Sequence, residues 1–306
     1  MEPIRLWFFG TSDFAVPIFE RLANDSRFTI TAVVTQPDRP VGRKAILTAP
    51  PIKTAAQAHT IPVFQFEQVK SDDAFAQLKE QPVDLAIVAS FGQIIPQRVL
   101  DLSPHGFINV HASVLPFYRG ASPITAAIKN GDAETGITIM LMDARMDHGP
   151  ILAIEREPIT ENDTTETLSA RLAKRGAALL LETVFRYLDG DLKPQEQDHA
   201  RATTVKLLRR EDGLIDWTQP AEAIERTVRA YDPWPGTYTI VDGKRLKILQ
   251  TAVGPQTDRT PGTFFLNENR LTVACGERSS LLIQKLQPEG KPVMDDIAYL
   301  RGHRLG

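Results

Sequence analysis

A single cysteine, Cys275, stands in a chain of 306 residues. One thiol forms no intrachain disulfide and no cysteine-based metal cluster, and no metal is expected. Its scarcity fits a reducing cytoplasm, the compartment expected here. Long apolar runs are also missing. The first, residues 4–9 (IRLWFF), falls far short of the ~20 residues that a spanning helix needs. No signal-peptide pattern precedes it, so no membrane partner is expected. Several short chemical signatures are absent as well. There is no GxGxxG, no P-loop lysine, no HExxH and no GxSxG. Catalysis through an elbow serine and nucleotide-driven phosphoryl transfer therefore lose support.

What is present describes a globular protein. Hydrophobic residues make up 42% and charged residues 24%, too apolar and too nearly neutral, at −3, for a disordered chain. The length suits two domains. Residues 1–200 hold 19 Lys and Arg against 25 Asp and Glu, a balance of −6, whereas residues 201–306 hold 16 against 13, or +3. That asymmetry is compatible with ordinary scatter or with a C-terminal part that meets a polyanion.

The first half alternates strand and helix patterns. Apolar, β-branched runs at 4–9, 29–35, 84–90, 107–111 and 137–142 are separated by stretches of helical spacing. Near-continuous apolar strands predict a parallel-rich sheet covered on both faces, a Rossmann-like α/β domain. Asp163 and Glu166 resemble a capping box before a long helix with Leu168, Leu172, Leu179, Val184 and Leu188 on its apolar face. A polar stretch at 192–205 reads as a linker. Beyond it, Asp242-Gly243 between two strand patterns marks a hairpin, and about five short strands in all predict a small β-barrel. The expected domains are 1–191, with the chemistry, and 206–306.

Gly10-Thr11-Ser12-Asp13 lies at a strand-to-helix turn and is equally compatible with a tight structural turn or a binding loop. The richest segment is 107–123, FINVHASVLPFYRGASP. Asn109 and His111 are two apart on a strand and so share a face. Burying either without a partner costs about 1–3 kcal/mol. They could be a satisfied polar pair, but the polar loop after them tilts the reading towards reactivity. Asp147, after another strand, could return to the same rim or be a solvated loop carboxylate. With no protein nucleophile in evidence, an Asn/His/Asp set suits direct attack of a substrate amine on an activated carbonyl.

At these residues the chain resembles the methionyl-tRNA formyltransferase family of the folate-dependent formyltransferases. The likeness runs through FFGTSDFAVP at 8–17, TQPDRPVGR at 35–43, Asn109-Val110-His111, SVLPFYRGASPI at 113–124, GDAETGITIMLMD at 131–143 and DPWPG at 232–236. It implies 10-formyltetrahydrofolate as formyl donor and the α-amine of methionyl initiator tRNA as acceptor, with no obligate protein partner. It implies Asn109, His111 and Asp147 as the catalytic set, and Ser113, Val114, Leu115 and Pro116 on the folate. It also implies a C-terminal OB-like, tRNA-binding domain. Arg145 and His148 depart from the glycine and threonine frequent there, which leaves the geometry beside Asp147 open.

The seventeen residues 37–53 exceed a usual α/β connection, and their prolines and glycine argue against regular structure. They carry Arg39, Arg43, Lys44 and Lys53. Arg43 is the preferred contact to the tRNA acceptor end, with Arg39 and Lys44 beside it. Two other readings stand beside this one: a formyltransferase for a small amine such as an amino-sugar nucleotide, and a non-catalytic folate- or RNA-binding module.

Overall fold

The computed structural model describes residues 2–42 and 44–303. They form two compact units, Met1–Pro123 with Thr135–Pro158 and Ser169–Val205, and Ile124–Glu134 with Ile159–Leu168 and Lys206–Gly306.

The first unit is organised by the strand Ile4–Gly10, in which Leu6, Trp7, Phe8 and Phe9 are all fully buried. Trp7 and Phe9 pack with Val34, Val88, Phe91 and Phe107 on one face of the sheet. Phe8 meets Phe19 of the helix Ala15–Ala23 edge-on, with ring centroids 5.4 Å apart. Each large apolar side chain so buried stabilises the fold by about 1.5–3 kcal/mol. That two-sided demand is why the strand reads as an unbroken apolar run.

Around it the seven-stranded sheet takes the order Ile151–Pro158, Glu134–Leu141, Phe107–His111, Leu85–Ala89, Ile4–Gly10, Phe28–Thr35, Val63–Gln65. The five strands from Phe107–His111 to Val63–Gln65 are parallel, and Glu134–Leu141 runs antiparallel to Phe107–His111. The two edge strands were not foreseen. Val63–Gln65 has only three residues, and Ile151–Pro158 mixes charged with apolar side chains, as an edge strand does.

The chain order reverses at Ile4–Gly10, which pairs with Phe28–Thr35 on one side and Leu85–Ala89 on the other. Such a switch point opens a crevice at the carboxyl ends of the strands. There Thr11 Oγ1 donates to the Phe91 carbonyl at 2.9 Å, and Ser12 Oγ lies 2.7 Å from Ser90 Oγ. The 10–13 turn thus binds two loops of the rim together. Gly10 is required at its start, because a Cβ would lie 2.7 Å from Phe8 and 3.2 Å from the Ala89 carbonyl oxygen.

Three expectations are corrected. The helix Thr165–Leu188 is capped one residue later than Asp163/Glu166: Thr164 and Thr167 exchange side-chain-to-backbone bonds at 3.0 and 3.3 Å, and Leu180 rather than Leu179 is fully buried. The polar stretch 192–205 is no free linker. Gln195 exchanges backbone bonds of 2.7 and 2.8 Å with Ile151, and Thr204–Val205 pairs in parallel with Arg119–Gly120. It lacks apolar periodicity because hydrogen bonds, not an apolar face, hold it.

The third concerns the second unit, which is not confined to 206–306. Two earlier segments fold with the helix Ala221–Ala230. Lys129 Nζ donates to the Tyr231 hydroxyl at 2.9 Å, Thr165 Oγ1 to the Ala230 carbonyl at 2.6 Å, and Arg229 to the Asp163 carbonyl at 2.7 Å. Such bonds between remote segments leave no periodic trace in sequence.

The rest of that unit is an antiparallel sheet of Thr237–Val241, Lys244–Val253, Phe264–Asn267, Arg270–Ala274 and Ser280–Pro288, with Met294–Asp295 added to the last. Asp242 and Gly243 have φ of 49° and 74°, the left-handed pair a two-residue hairpin turn of this kind uses. Ile224 and Val228 of the helix pack on Leu246, Ile248, Leu271 and Ile283. Cys275 is buried in this core, which pushes its thiol up to about 12, so it stays protonated and inert.

Because 195–205 is held on the first unit, limited trypsin digestion should cut first at Lys206, Arg209 or Arg210, beside the exposed Leu207. Mass spectrometry of the early fragments checks this. A first cut after Arg201 would show that the stretch is loose.

Candidate active site

The strand Phe107–His111 is buried along its whole length, and its pleat sets Asn109 and His111 on one face at its carboxyl end. His111 Nε2 lies 3.0 Å from the Tyr118 carbonyl oxygen. A carbonyl only accepts, so the hydrogen is on Nε2 and Nδ1 is the ring nitrogen left for other work. Nδ1 faces Asp147, whose Oδ1 is 3.6 Å away. Asn109 Nδ2 donates to the same Oδ1 at 3.2 Å, and the Gly120 N–H donates to Oδ2 at 2.7 Å. The structure therefore brings the three expected residues together. The Tyr118 carbonyl holds the imidazole, while the Asp147 carboxylate stands at ion-pair distance.

Asp147 is presented by the loop after Glu134–Leu141. Its φ is 47°, in the left-handed region. Asp143 organises the same loop, accepting from the Arg145 N–H at 2.8 Å and contacting His148 Nδ1 at 2.7 Å. His148 also stacks on His199, ring centroids 3.9 Å apart. The two departures from the usual pattern thus make contacts internal to the loop and its neighbour, and Asp147 still faces His111. Gly149 closes the loop against the strand it left: a Cβ there would lie 2.0 Å from the Leu141 carbonyl oxygen.

The 113–116 turn is pinned from beneath. Ser113 is fully buried, its hydroxyl donating to the Phe117 carbonyl at 2.6 Å, and its own carbonyl accepts from Thr138 Oγ1 at 2.7 Å. Leu115, also buried, donates its N–H to Thr138 Oγ1 at 3.1 Å. Val114 and Pro116 are half-buried. The Ser113 hydroxyl is thus committed to the turn.

The basic segment has more order than its prolines suggested. Arg39–Val41 and Ile46–Thr48 form an antiparallel hairpin, and Pro51 opens the helix Pro51–Ala58 at a first-turn position that needs no N–H. Lys53 is not available for a ligand: its Nζ donates to both carboxylate oxygens of Asp38 at 2.8 and 2.9 Å and to Gln65 at 2.9 Å. The Lys53 bonds, with a further one from Gln65 Nε2 at 2.8 Å, hold the Asp38 carboxyl below its ordinary range. Arg39 pairs with Glu67 at 2.5 Å, with both side chains more than half exposed, and Lys44 is exposed. Arg43 lies outside the described residues.

Sequence reasoning missed Arg119, Gln197 and His199. Gln197 and Arg119 are buried, with Arg119 Nη2 donating to Gln197 Oε1 at 2.6 Å and to His199 Nδ1 at 2.9 Å. Gln197 and His199 lie in the polar stretch 192–205, where no local pattern marks them. Among the described residues, no group of His, Cys, Asp and Glu could hold a metal ion, and no helix is long and apolar enough to cross a membrane.

The formyl transferase profile matches residues 4–184, and that of the formyl transferase C-terminal domain matches 207–304. A methionyl-tRNA formyltransferase of Roseiflexus castenholzii is 46% identical over 304 residues, 99% of this chain and 97% of its own. That of Geobacter sulfurreducens is 41% identical over 305 residues, 100% and 96% of the two chains. Among solved structures, an N-formyltransferase of Helicobacter canadensis, in complex with folinic acid and dTDP-3-aminofucose, gives a TM-score of 0.67 at 18% identity, over 92% of this chain and 99% of its own. HypX of Aquifex aeolicus, in complex with tetrahydrofolic acid, gives 0.63 at 16% identity, over 98% of this chain and 47% of its own. These two share the fold.

The loop geometry carries its own test. Gly149→Ala must push a methyl into the Leu141 carbonyl, so urea denaturation should show a loss of about 1–3 kcal/mol. An unchanged midpoint would mean that the turn is not closed in this way.

Proposed function

The chain belongs to the formyl transferase family, and from that premise we propose that it moves the formyl group of 10-formyltetrahydrofolate to the α-amino group of methionyl initiator tRNA. The observation that carries this is the full-length likeness to methionyl-tRNA formyltransferases at 41–46% identity, set against 16–18% for the sugar N-formyltransferase and HypX structures. The product, N-formylmethionyl-tRNA, serves translation initiation, a cytoplasmic process.

The reaction joins the methionine nitrogen to the formyl carbon and breaks that carbon's bond to folate N10. The amine loses a proton and N10 gains one. Asn109 has a second amide hydrogen beyond the one given to Asp147, and this is the donor to the formyl oxygen as negative charge grows there. His111, with its Nε2 hydrogen committed to Tyr118, works through Nδ1. That atom takes or gives the proton, and when protonated is a second donor to the same oxygen. Asp147, 3.6 Å from Nδ1, lies close enough to balance the charge on the ring. Val114, Pro116 and the backbone of the 113–116 turn offer the surface for the folate.

The tRNA side rests on the hairpin. Val41, Ile46 and Leu47 are 56%, 62% and 67% exposed, an unusual set of exposed apolar side chains on a segment that also carries Arg39 and Lys44. The Arg39–Glu67 pair is exposed and so worth little, which lets the guanidinium turn to a phosphate. Arg43 is assigned to the acceptor end, and the net +3 of residues 201–306 to the stem phosphates.

Formyl-methionine release from charged initiator and elongator tRNA, with 10-formyltetrahydrofolate as donor, tests the assignment. His111→Ala and Asn109→Ala should each keep the fold and lower turnover by roughly a hundredfold or more. Asp147→Asn should lose rate too, because an amide cannot balance an imidazolium. A folded His111→Ala protein with near-wild-type turnover would falsify the catalytic reading, and turnover on an amino-sugar nucleotide without RNA would replace the acceptor. Arg43→Ala should raise KM for methionyl-tRNA and leave KM for the folate donor unchanged. The opposite pattern would move the hairpin to the donor side.

A further inference from the structure

We infer that Gln197 is a positioning residue for Asp147. It clamps the backbone of the loop that presents the carboxylate. The inference rests on the reading of Asp147 as a catalytic group.

A buried glutamine is costly unless its whole polar end is paired. Gln197 is 5% exposed, and its pairing is complete. Nε2 donates to the Asp147 carbonyl at 3.0 Å and to the Gly149 carbonyl at 2.7 Å. Oε1 accepts from Arg119 Nε at 3.2 Å and Nη2 at 2.6 Å. Two donors and two acceptances use everything that a primary amide has.

The targets of those donors are what matter. Asp147 holds φ at 47°, a left-handed conformation that persists only where neighbours over-determine it. Gln197 grips that residue's own carbonyl and the carbonyl two residues on. Arg119 and Gly120 complete the grip. Arg119 orients the Gln197 amide, and the next N–H, that of Gly120, binds Asp147 Oδ2 at 2.7 Å. The short strand Arg119–Gly120 is itself paired to Thr204–Val205. Backbone and side chain of Asp147 are therefore fixed by one connected unit in which Gln197 is the central piece. Glutamate in its place would keep the acceptors for Arg119 but offer no hydrogen to the two carbonyls. Leucine would fill the volume and supply neither.

The test uses the full-length protein in the formylation assay with 10-formyltetrahydrofolate and charged initiator tRNA. Gln197→Leu and Gln197→Glu, each checked for folding by circular dichroism and thermal unfolding, should lower kcat by roughly tenfold to a hundredfold with both KM values little changed. In an Asp147→Ala background, Gln197→Glu should add less than about a twofold loss, because the group it positions is gone. Losses that multiply in the double variant would show that Gln197 acts independently of Asp147 and overturn the proposal. So would a folded Gln197→Glu protein with wild-type kcat while Asp147→Ala is impaired. Should neither Gln197 variant fold, the residue is a structural one and the proposal is likewise overturned. Wild-type turnover of Asp147→Ala alone would instead remove the catalytic reading on which the inference stands.

Discussion

Burial of the central strand Ile4–Gly10 on both faces constrains everything else in the first unit. With Trp7 and Phe9 turned to one layer and Phe8 to the other, the layers against this strand are almost wholly apolar. Polar chemistry is left to the strand ends, where the chain must turn and where backbone groups are not all used by the ladder. The parallel order makes those ends coincide. The turns at Gly10, Ser90 and His111 all follow the carboxyl ends of parallel strands, and the order reverses at Ile4–Gly10. The position of the site thus follows from the packing of side chains that take no part in it.

The second constraint is polar. Asn109, His111, Ser113, Arg119, Thr138 and Gln197 are all buried. Each finds partners within the same set of loops, largely backbone carbonyls: Tyr118 for His111, Phe117 for Ser113, Asp147 and Gly149 for Gln197. A network satisfied in this way is rigid, since displacing any one member leaves another unpaired in a low-dielectric setting. Rigidity of this kind suits the proposed reaction, in which protein groups need only hold donors and a proton carrier at fixed places.

The two units use different means to the same end. In the first, an apolar sheet carries the core and polar loops carry the rim. In the second, an antiparallel sheet is packed by the helix Ala221–Ala230, and hydrogen bonds bring in Ile124–Glu134 and Ile159–Leu168 from far along the chain. Consequently neither unit is one continuous stretch of sequence.

Much was legible in the residues alone. Strands with two buried faces announce themselves as apolar runs, so the central sheet could be read directly, and the hairpin at Asp242-Gly243 follows from two positions that need positive φ. Asn109 and His111 were readable as a pair because strand period is fixed by covalent geometry. Their meeting with Asp147 was legible only through the family resemblance, since no local rule spans the 35 residues between His111 and Asp147. The edge strand Val63–Gln65 was too short to show a period. Gln197, the Tyr118 carbonyl and the folded stretch at 195–205 gave no signal at all, because a hydrogen bond between remote segments leaves no pattern in either one. Local propensity and burial act along the chain and are written in its order. The pairing of buried polar groups acts across it, and only the tertiary structure decides who meets whom.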